Sequence, residues 1–341
     1  MILSFLFFSF YSIKSILLKI IRLGVEFLLT RLCGYQPPAS LFYSTPLKDL
    51  FGKISSSQAN SRIGELISRN SPCMIARFGS SELSALLDFE RFTSFSSVDN
   101  LLHWSKTGSF PFSKSSFRSL RINAGFFDVD KTSMSNFYQE MMLAIGDVDL
   151  LGSWLPGETN FAQMLTGATF CELSDLEPYY HQNPWSMYLK DKTVLLIHPF
   201  ACTIESQYYN NRDLIFPGTQ TLPNFNLVTL TAVQSIAGNS TEFKSWQDAL
   251  DFMTYKALDI NFDIAIIGCG AYGFPLAARL KRLGGKRTIH LGGATQLLFG
   301  IKGKRWDEHP YISRLYNENW TREASTVMPP NAHLVEGATY W

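Results

Sequence analysis

The sequence of 341 residues has few cysteines, almost no excess charge and no apolar run long enough to cross a membrane. The five cysteines are odd in number, far apart and without a C-x-x-C pair: Cys33, Cys73, Cys171, Cys202 and Cys269. Neither a disulfide framework nor a cysteine-based zinc site is expected, and a cytoplasmic location is favoured. Thirty basic against 29 acidic side chains leave a net charge of +1. Without a strong overall field, we expect no nucleic acid as a partner.

Common catalytic signatures are missing too, since the sequence contains no P-loop, no H-E-x-x-H motif and no Ser-His-Asp order. What is present is an ordinary globular composition, with 46% hydrophobic and 17% charged residues. A chain of this size and composition can bury a large core in one large or two modest domains.

Residues 1–32 are rich in Phe, Leu and Ile and predict an amphipathic helix. On a helical wheel Lys14, Lys19, Arg22 and Glu26 fall within one sector of about 140°, and apolar residues surround the rest. The longest charge-free run, residues 1–13, is shorter than the roughly 20 residues of a spanning helix. The segment also lacks the early positive charge and small-residue cleavage site of a signal peptide. We predict a helix on a membrane surface; the alternatives are a spanning or cleaved segment and a helix buried in the fold or in a dimer.

The motif "GYQPPAS", with Pro37 and Pro38, predicts a break after this helix and a linker over residues 33–47. Residues 48–341 then alternate apolar runs with helical patterns, which predicts an α/β domain with a mainly parallel sheet. The apolar runs predict strands at residues 72–79, 148–154, 193–200, 225–233, 263–267 and 288–291. The helical patterns lie at residues 47–68, 80–89, 136–145, 202–212, 242–258 and 274–283.

Gly268, Gly270 and Gly273 have the spacing G-x-G-x-x-G inside a predicted Rossmann-like βαβ unit. Glycines at such a turn permit positive φ and close backbone approach, and the following helix start favours a phosphate. A dinucleotide site also needs an Asp or Glu at the end of the second strand, where this sequence has His290. We therefore expect a phosphate-bearing ligand. An NAD site and a turn that only packs helix against strand are the alternatives.

Ligands of open parallel sheets bind beyond the carboxyl ends of the strands. After the first predicted strand, "ARFGSSE" offers Arg77, a tight turn at Gly79, and Glu82 as a metal ligand or a base. The alternative is an Arg–Glu ion pair that closes the loop. After the third predicted strand come His198 and Glu205, and a hydrogen-bonded structural histidine is the alternative to a catalytic His198.

Beyond the last predicted strand, Gly292 and Gly293 in "GGATQ" precede a helix start. A basic and aromatic cluster follows, made of Lys302, Lys304, Arg305 and Trp306. Basic groups beside an indole can bind a pyrophosphate and stack a base or a sugar ring. A solvated surface loop is the alternative.

Asp147 and Asp149 form a D-x-D pair of the kind with which many sugar-nucleotide enzymes hold a divalent cation. That motif normally follows its strand, whereas this pair precedes a predicted strand. Two carboxylates at this spacing are also common by chance, so we give the pair little weight as a metal site.

Taken together, "ARFGSSE" and the late "IIGCGAYGFPLAARLKRLGGKRTIHLGG" resemble the bacterial GT-D-fold glycosyltransferases and the GT-D-like proteins of surface-polysaccharide biosynthesis. In the founding members the front motif is Arg-aromatic-Gly-Asp-x-Glu, whose Asp-x-Glu pair binds the metal and the sugar nucleotide. Arg77, Phe78, Gly79 and Glu82 match this motif, and Ser80 replaces the Asp. The resemblance continues through "VLLIHPFACTIESQY", "LLFGIKGKRW" and "EGATYW" and covers roughly residues 60–341.

The resemblance implies a GT-D-like glycosyltransferase on the inner face of the membrane, which moves a sugar from a nucleotide-sugar donor to a glycan or lipid-linked acceptor. The two glycine turns would take the pyrophosphate, and Lys304 and Arg305 would offset leaving-group charge. Arg77, Glu82 and His198 are the candidate catalytic residues, and Glu82 would bind Mg²⁺ or Mn²⁺ or serve as base. Because a hydroxyl at position 80 holds such a metal less well than a carboxylate, the metal site is weakened. The alternatives are an NAD-linked oxidoreductase and an inactive GT-D-like module that recruits partners in polysaccharide assembly.

Overall fold

The computed structural model describes residues 17–33, 45–94, 97–107, 114–127 and 130–341. Its centre is a seven-stranded sheet in the order β3-β2-β1-β7-β6-β4-β5, in which every strand pair is parallel. The strands are β1 (Cys73–Ala76), β2 (Leu150–Ser153), β3 (Thr169–Glu172), β4 (Thr193–His198), β5 (Asn226–Thr231), β6 (Ile264–Ile267) and β7 (Arg287–His290). A separate parallel pair is formed by β8 (Ile301–Lys302) and β9 (Thr321–Arg322). The predicted α/β class with a Rossmann-like parallel sheet is confirmed.

The central strands are buried on both faces, which explains their continuous apolar runs. In β4, Leu195 and Ile197 belong to one apolar cluster, and Val194 and Leu196 belong to the other. Successive side chains of a strand point to opposite faces, so each run supplies two cores at once.

Helices on both faces complete three layers. The first face is packed by α4 (Ser80–Ser94), α6 (Lys114–Ala124), α7 (Lys131–Ile145), α9 (Trp246–Leu258) and α10 (Gly273–Gly284). The second face is packed by α3 (Ser56–Ser68), α8 (Ala201–Ile215) and α11 (Thr295–Leu298). Two further helices are α2 (Leu47–Phe51) and α5 (Ser97–Thr107).

The direction in which the chain moves across the sheet reverses between β4 and β6. From β4 the chain moves outward to the edge strand β5, whereas from β6 it moves the opposite way to β7. Neighbouring parallel strands whose crossovers diverge leave a crevice at their carboxyl ends, the usual ligand position in such sheets.

Two of the differences from the sequence prediction have a clear physical reason. The single helix predicted at residues 47–68 is interrupted, because Gly52 has a φ of +82° and Ser55 starts a new helix with a capping box to Gln58. The short strand β3 was not predicted, since its four residues carry only a partly buried pattern.

A further helix, α1, occupies residues 17–27 and ends in a π-helical turn at Leu28–Leu32. Its polar side contacts the end of α5: the Arg22 guanidinium donates to the carbonyl oxygens of Ser105 (3.0 Å) and Lys106 (2.7 Å), and Glu26 pairs with Lys106 at 3.8 Å. Large apolar side chains of α1 are exposed, among them Leu17, Ile20, Leu23, Phe27 and Leu32. Within the described ranges no helix has the length and apolarity needed to cross a bilayer. Residues 1–16 and 34–44, with most of the predicted linker, lie outside the described residues.

Candidate functional site

A cavity of about 450 Å³ lies at the carboxyl edge of the central sheet. Six of the seven parallel strands send the segment after them to its wall. One residue from each is Arg77 after β1, Trp154 after β2, His198 at the end of β4, Ser235 after β5, Gly268 after β6 and Gly292 after β7. The volume is in the range of a site for a small molecule or a cofactor.

Arg77 is an unpaired cation in this wall. Its guanidinium lies over the Trp154 ring, 4.9 Å from the centroid, and its buried Nε has no hydrogen-bond partner among the described residues. Burial lowers the pKa of Arg77, and the nearby charge of Glu82 opposes that shift. Arginine remains protonated even so. A half-buried guanidinium without a carboxylate partner lowers the stability of the fold unless a ligand supplies the missing hydrogen-bond acceptor.

Glu82 lies on the first turn of α4 and folds back over Gly79. A Cβ at position 79 would lie 1.9 Å from a Glu82 carboxylate oxygen, so a side chain there would displace this carboxylate from its present position. Burial raises the pKa of Glu82 above its ordinary 4.5, while its own backbone N–H and the charge of Arg77 act against the rise. No ion pair joins Glu82 to Arg77 or to any other residue of the described ranges. The alternative of an Arg–Glu pair that closes the loop is therefore not what the geometry contains.

Trp154 is held in place by the loop after β2. The buried carboxylate of Glu158 accepts hydrogen bonds from the backbone N–H groups of Trp154 and Leu155, both at 3.1 Å, and from the Ser153 hydroxyl. The Trp154 indole N–H donates to the Phe78 carbonyl at 3.0 Å. The ring that carries Arg77 is thus fixed from two sides.

Two histidines line the cavity, and both are neutral. Burial lowers the pKa of His198 and of His290 to about 3. His198 Nδ1 accepts the Phe200 N–H at 3.0 Å, which leaves the proton on Nε2. His290 Nδ1 lies 3.1 Å from the Arg77 carbonyl, and because a carbonyl only accepts, this nitrogen is the donor. In this state His198 is a hydrogen-bond donor and has no basic nitrogen free.

Each glycine of the G-x-G-x-x-G turn has a protein neighbour where a side chain would project. A Cβ at Gly268 would lie 2.6 Å from the Gly292 carbonyl oxygen, and a Cβ at Gly273 would lie 2.5 Å from His290 Nε2. Gly270 has a φ of +58°, and its Cβ would lie 2.4 Å from the Ala124 carbonyl oxygen. Packing alone accounts for the spacing, although Gly268 and Gly270 also line the cavity.

The second glycine pair also contacts side chains of the site. Gly292 has a φ of +64°, and a Cβ there would lie 3.0 Å from an Arg77 guanidinium nitrogen. A Cβ at Gly293 would lie 2.5 Å from the Tyr340 ring. Both positions therefore leave room for groups of the cavity wall.

The predicted basic cluster divides in the structure. Arg305 lines the cavity, lies over the Tyr340 ring at 5.0 Å from the centroid and pairs with Glu336. Lys304 is outside the cavity wall, and its ammonium donates to the Gly337 carbonyl at 3.2 Å. Lys302 lies over the Tyr316 ring instead. Only Arg305 of these three is placed to meet a ligand in the cavity.

The other acidic candidates lie elsewhere. Asp149 accepts from the Met74 N–H and from Lys281, and Asp147 pairs with Arg282, all at the amino end of the strands. The exposed Glu205 accepts only from Thr229. Among the described residues no group of three or more His, Cys, Asp or Glu side chains is arranged to hold a metal.

Part of the cavity wall is formed by residues that no sequence motif assigned to a site. The C-terminal Tyr340 and Trp341 line the cavity, as do Gln296, Ser235 and Asn123. Gln296 donates to the Tyr340 carbonyl at 3.0 Å, and the Lys304 N–H donates to the Trp341 carbonyl at 3.2 Å. Tyr340 and Trp341 belong to "EGATYW", which carries part of the family resemblance, but no local pattern assigns their side chains to a site, and these contacts depend on the tertiary structure.

Comparisons of the chain with known protein families, with curated proteins and with solved structures give no match. Function is therefore argued from the geometry and chemistry of the cavity itself.

The packing of Gly270 predicts a loss of stability on substitution. Gly270→Ala should lower the free energy of unfolding by about 2 kcal/mol, because a left-handed φ costs an L-residue roughly 1–2 kcal/mol and the Cβ meets the Ala124 carbonyl. Gly167→Ala is the control, since that glycine has an ordinary φ and no atom within 4 Å of a Cβ. Urea unfolding measures both. Equal stability of the two variants would contradict this explanation of the glycine.

The raised carboxylate pKa values predict that stability falls as pH rises. Burial raises the pKa of Glu177 to about 7 and also raises that of Glu82, so the folded state holds protons that the unfolded state releases above about pH 4.5. Unfolding free energies measured at pH 5 and pH 7.5 should differ less in Glu82→Gln and in Glu177→Gln than in the wild type. An unchanged or larger difference in both variants would contradict the assignment.

Proposed function

We propose that this protein is a glycosyltransferase that uses a nucleotide-sugar donor. One observation carries the proposal: Arg77 and Glu82 follow β1 at the wall of one cavity, and neither has an ion-pair partner among the described residues. Unpaired, partly desolvated charges of opposite sign cost stability, and such groups concentrate at sites that act on a ligand. A donor with an anionic leaving group and an acceptor with an acidic proton would use both charges.

The donor end of the site is supported by the basic and aromatic side chains. Arg77 and Arg305 supply positive charge for a diphosphate, and the backbone of Gly292 and Gly293 lines the same wall. The Tyr340 and Trp154 rings offer flat apolar faces, of the kind on which a base or a sugar ring stacks. Lys304, which the sequence predicts to offset leaving-group charge, lies outside the wall, where its ammonium donates to the Gly337 carbonyl.

In the transfer step the acceptor hydroxyl oxygen bonds to the anomeric carbon of the sugar. The bond from that carbon to the diphosphate oxygen breaks, and its electron pair leaves with the diphosphate. Glu82 takes the hydroxyl proton, a role that suits a carboxylate whose pKa is raised by burial. Arg77 and Arg305 stabilise the charge on the leaving group. Neutral His198 donates its Nε2 proton as a hydrogen bond to the ligand.

A divalent metal fits the site only in a limited way. Glu82 is the cavity carboxylate without an ion pair, since Glu336 is paired with Arg305, and Ser80 stands where the resembling family has an acid. Such a donor set suits a Mg²⁺ ion held mainly by the phosphates of a substrate, and it does not form an all-protein metal cage. Metal dependence stays a prediction, and the step above is carried by the side chains of the chain.

We also propose that α1 attaches the protein to the inner surface of a membrane, close to a glycan or lipid-linked acceptor. The polar side of this helix is occupied by α5 through Arg22 and Glu26, while its apolar side chains are exposed. A helix with this division lies in the interface with its apolar face in the lipid.

The catalytic proposal predicts different effects at positions 82 and 80. Glu82→Gln should abolish sugar transfer, by a factor of about 100 or more, because the proton acceptor is lost. Since no ion pair is removed, its melting temperature should not fall. Glu205→Gln, which alters an exposed carboxylate outside the cavity, should keep full activity. Ser80→Asp should raise the affinity for Mn²⁺ in a calorimetric titration, because it adds a second anionic ligand.

The donor is found first by a thermal-shift screen with UDP-, GDP-, CMP- and dTDP-sugars, and NAD and NADP serve as controls. Full transfer activity in Glu82→Gln would remove this residue from the mechanism. Stabilisation by NAD alone would favour an oxidoreductase. Sugar-nucleotide binding without turnover in the wild type would favour an inactive module in polysaccharide assembly.

The membrane proposal predicts that charges on the exposed face of α1 release the protein. Leu23→Asp with Phe27→Asp should abolish co-flotation with anionic lipid vesicles, because both side chains are more than half exposed on that face. Leu143→Asp with Leu283→Asp is the control, as these leucines are equally exposed on the α/β domain. Flotation of the α1 variant at the wild-type level would refute the attachment by this face.

A further inference from the structure

Five buried polar side-chain atoms have no hydrogen-bond partner among the described residues. They are Arg77 Nε, Trp246 Nε1, Tyr316 OH, Glu323 Oε2 and Trp341 Nε1. Buried N–H groups without an acceptor are rare in folded proteins, and each one calls for an explanation. Two of the five, Arg77 Nε and Trp341 Nε1, belong to side chains of the same cavity wall.

Trp341 is held firmly enough to present its indole in one position. Its carbonyl accepts the Lys304 N–H at 3.2 Å, and its ring meets Phe200 and Tyr340 edge-on, each at 6.1 Å between centroids. Only 7% of its surface is exposed. These contacts and the low exposure hold the indole in place with its N–H buried and unpartnered.

We propose that the Trp341 indole N–H and the Arg77 guanidinium together bind one phosphoryl or diphosphate group in the cavity. Both are donors only, so the missing partner is an acceptor. Arg77 adds a positive charge that forms no ion pair within 4 Å among the described residues, although Glu82 and Glu177 lie near enough to act on it, and this charge favours an anion over a neutral acceptor. The left-handed Gly292 leaves room for the guanidinium itself, since a Cβ there would lie 3.0 Å from one of its nitrogens.

This subsite differs from the one that the glycine motif suggested. The side-chain directions of Gly268 and Gly270 are filled by Thr295, Gly292 and Ala124, so their glycines are explained without a phosphate. This proposal rests on the proposed function in one respect only, that a nucleotide sugar is the molecule which carries the phosphate. The anion site itself rests on the two unpartnered donors.

The test uses the full chain and inorganic pyrophosphate, titrated calorimetrically at constant ionic strength. Trp341→Phe keeps a packed ring and removes the N–H, and it should weaken pyrophosphate binding about tenfold, as expected for one lost hydrogen bond to a charged group. Trp246→Phe is the matched control. That indole N–H is equally buried and unpartnered, but it lies outside the cavity wall, so affinity should be unchanged.

Arg77→Lys is the second variant, since it keeps the charge and removes Nε, and it should also lose about tenfold. It decides the question if Trp341→Phe fails to fold, as judged by its melting curve. Wild-type affinity in a folded Trp341→Phe, an equal loss in Trp246→Phe, or no pyrophosphate binding by the wild type would overturn the subsite. Trp341-dependent pyrophosphate binding without binding of any sugar nucleotide would keep the subsite and refute the glycosyltransferase.

Discussion

The parallel pairing of all seven central strands is the constraint on which the site depends. Because β1, β4, β6 and β7 run in one direction, the segments after them meet at one edge of the sheet. Because both faces of these strands are buried, close packing in the two cores holds each strand end in place. The divergent crossovers of β4 and β6 then leave a crevice at this edge, where the cavity lies.

The cavity wall combines hydrogen-bonded backbone groups with charged side chains that have no ion-pair partner among the described residues. The Arg77 carbonyl binds His290, while its guanidinium has no such partner and lies on the Trp154 ring. Glu158, fully buried, orders the backbone that presents Trp154 and is itself outside the cavity wall. Hydrogen-bonded groups outside the wall thus hold in place the wall residues beside the unpaired charge. This is the arrangement expected of a preorganised binding site.

The glycine motif shows how one local pattern fits two physical causes. A G-x-G-x-x-G turn between strand and helix is used where a phosphate approaches the backbone, and it is equally required where a helix packs closely on a strand. Here Gly273 admits the His290 ring and Gly270 accommodates the end of α6 through Ala124. The glycines therefore position the neighbours of the cavity whether or not they contact a ligand.

The sequence by itself determined the α/β class, six of the seven central strands and the strand-end residues Arg77, Glu82 and His198, because alternating patterns and apolar runs are local properties. Tertiary structure decided what those residues do. The hydrogen bond from His290 to the Arg77 carbonyl joins positions 213 apart in the chain, and the Tyr340 ring reaches Arg305 by the return of the C-terminal segment. Whether a charge is paired, which tautomer a histidine adopts and which atom fills the space beside a glycine depend on such distant contacts. No periodicity in the sequence encodes them.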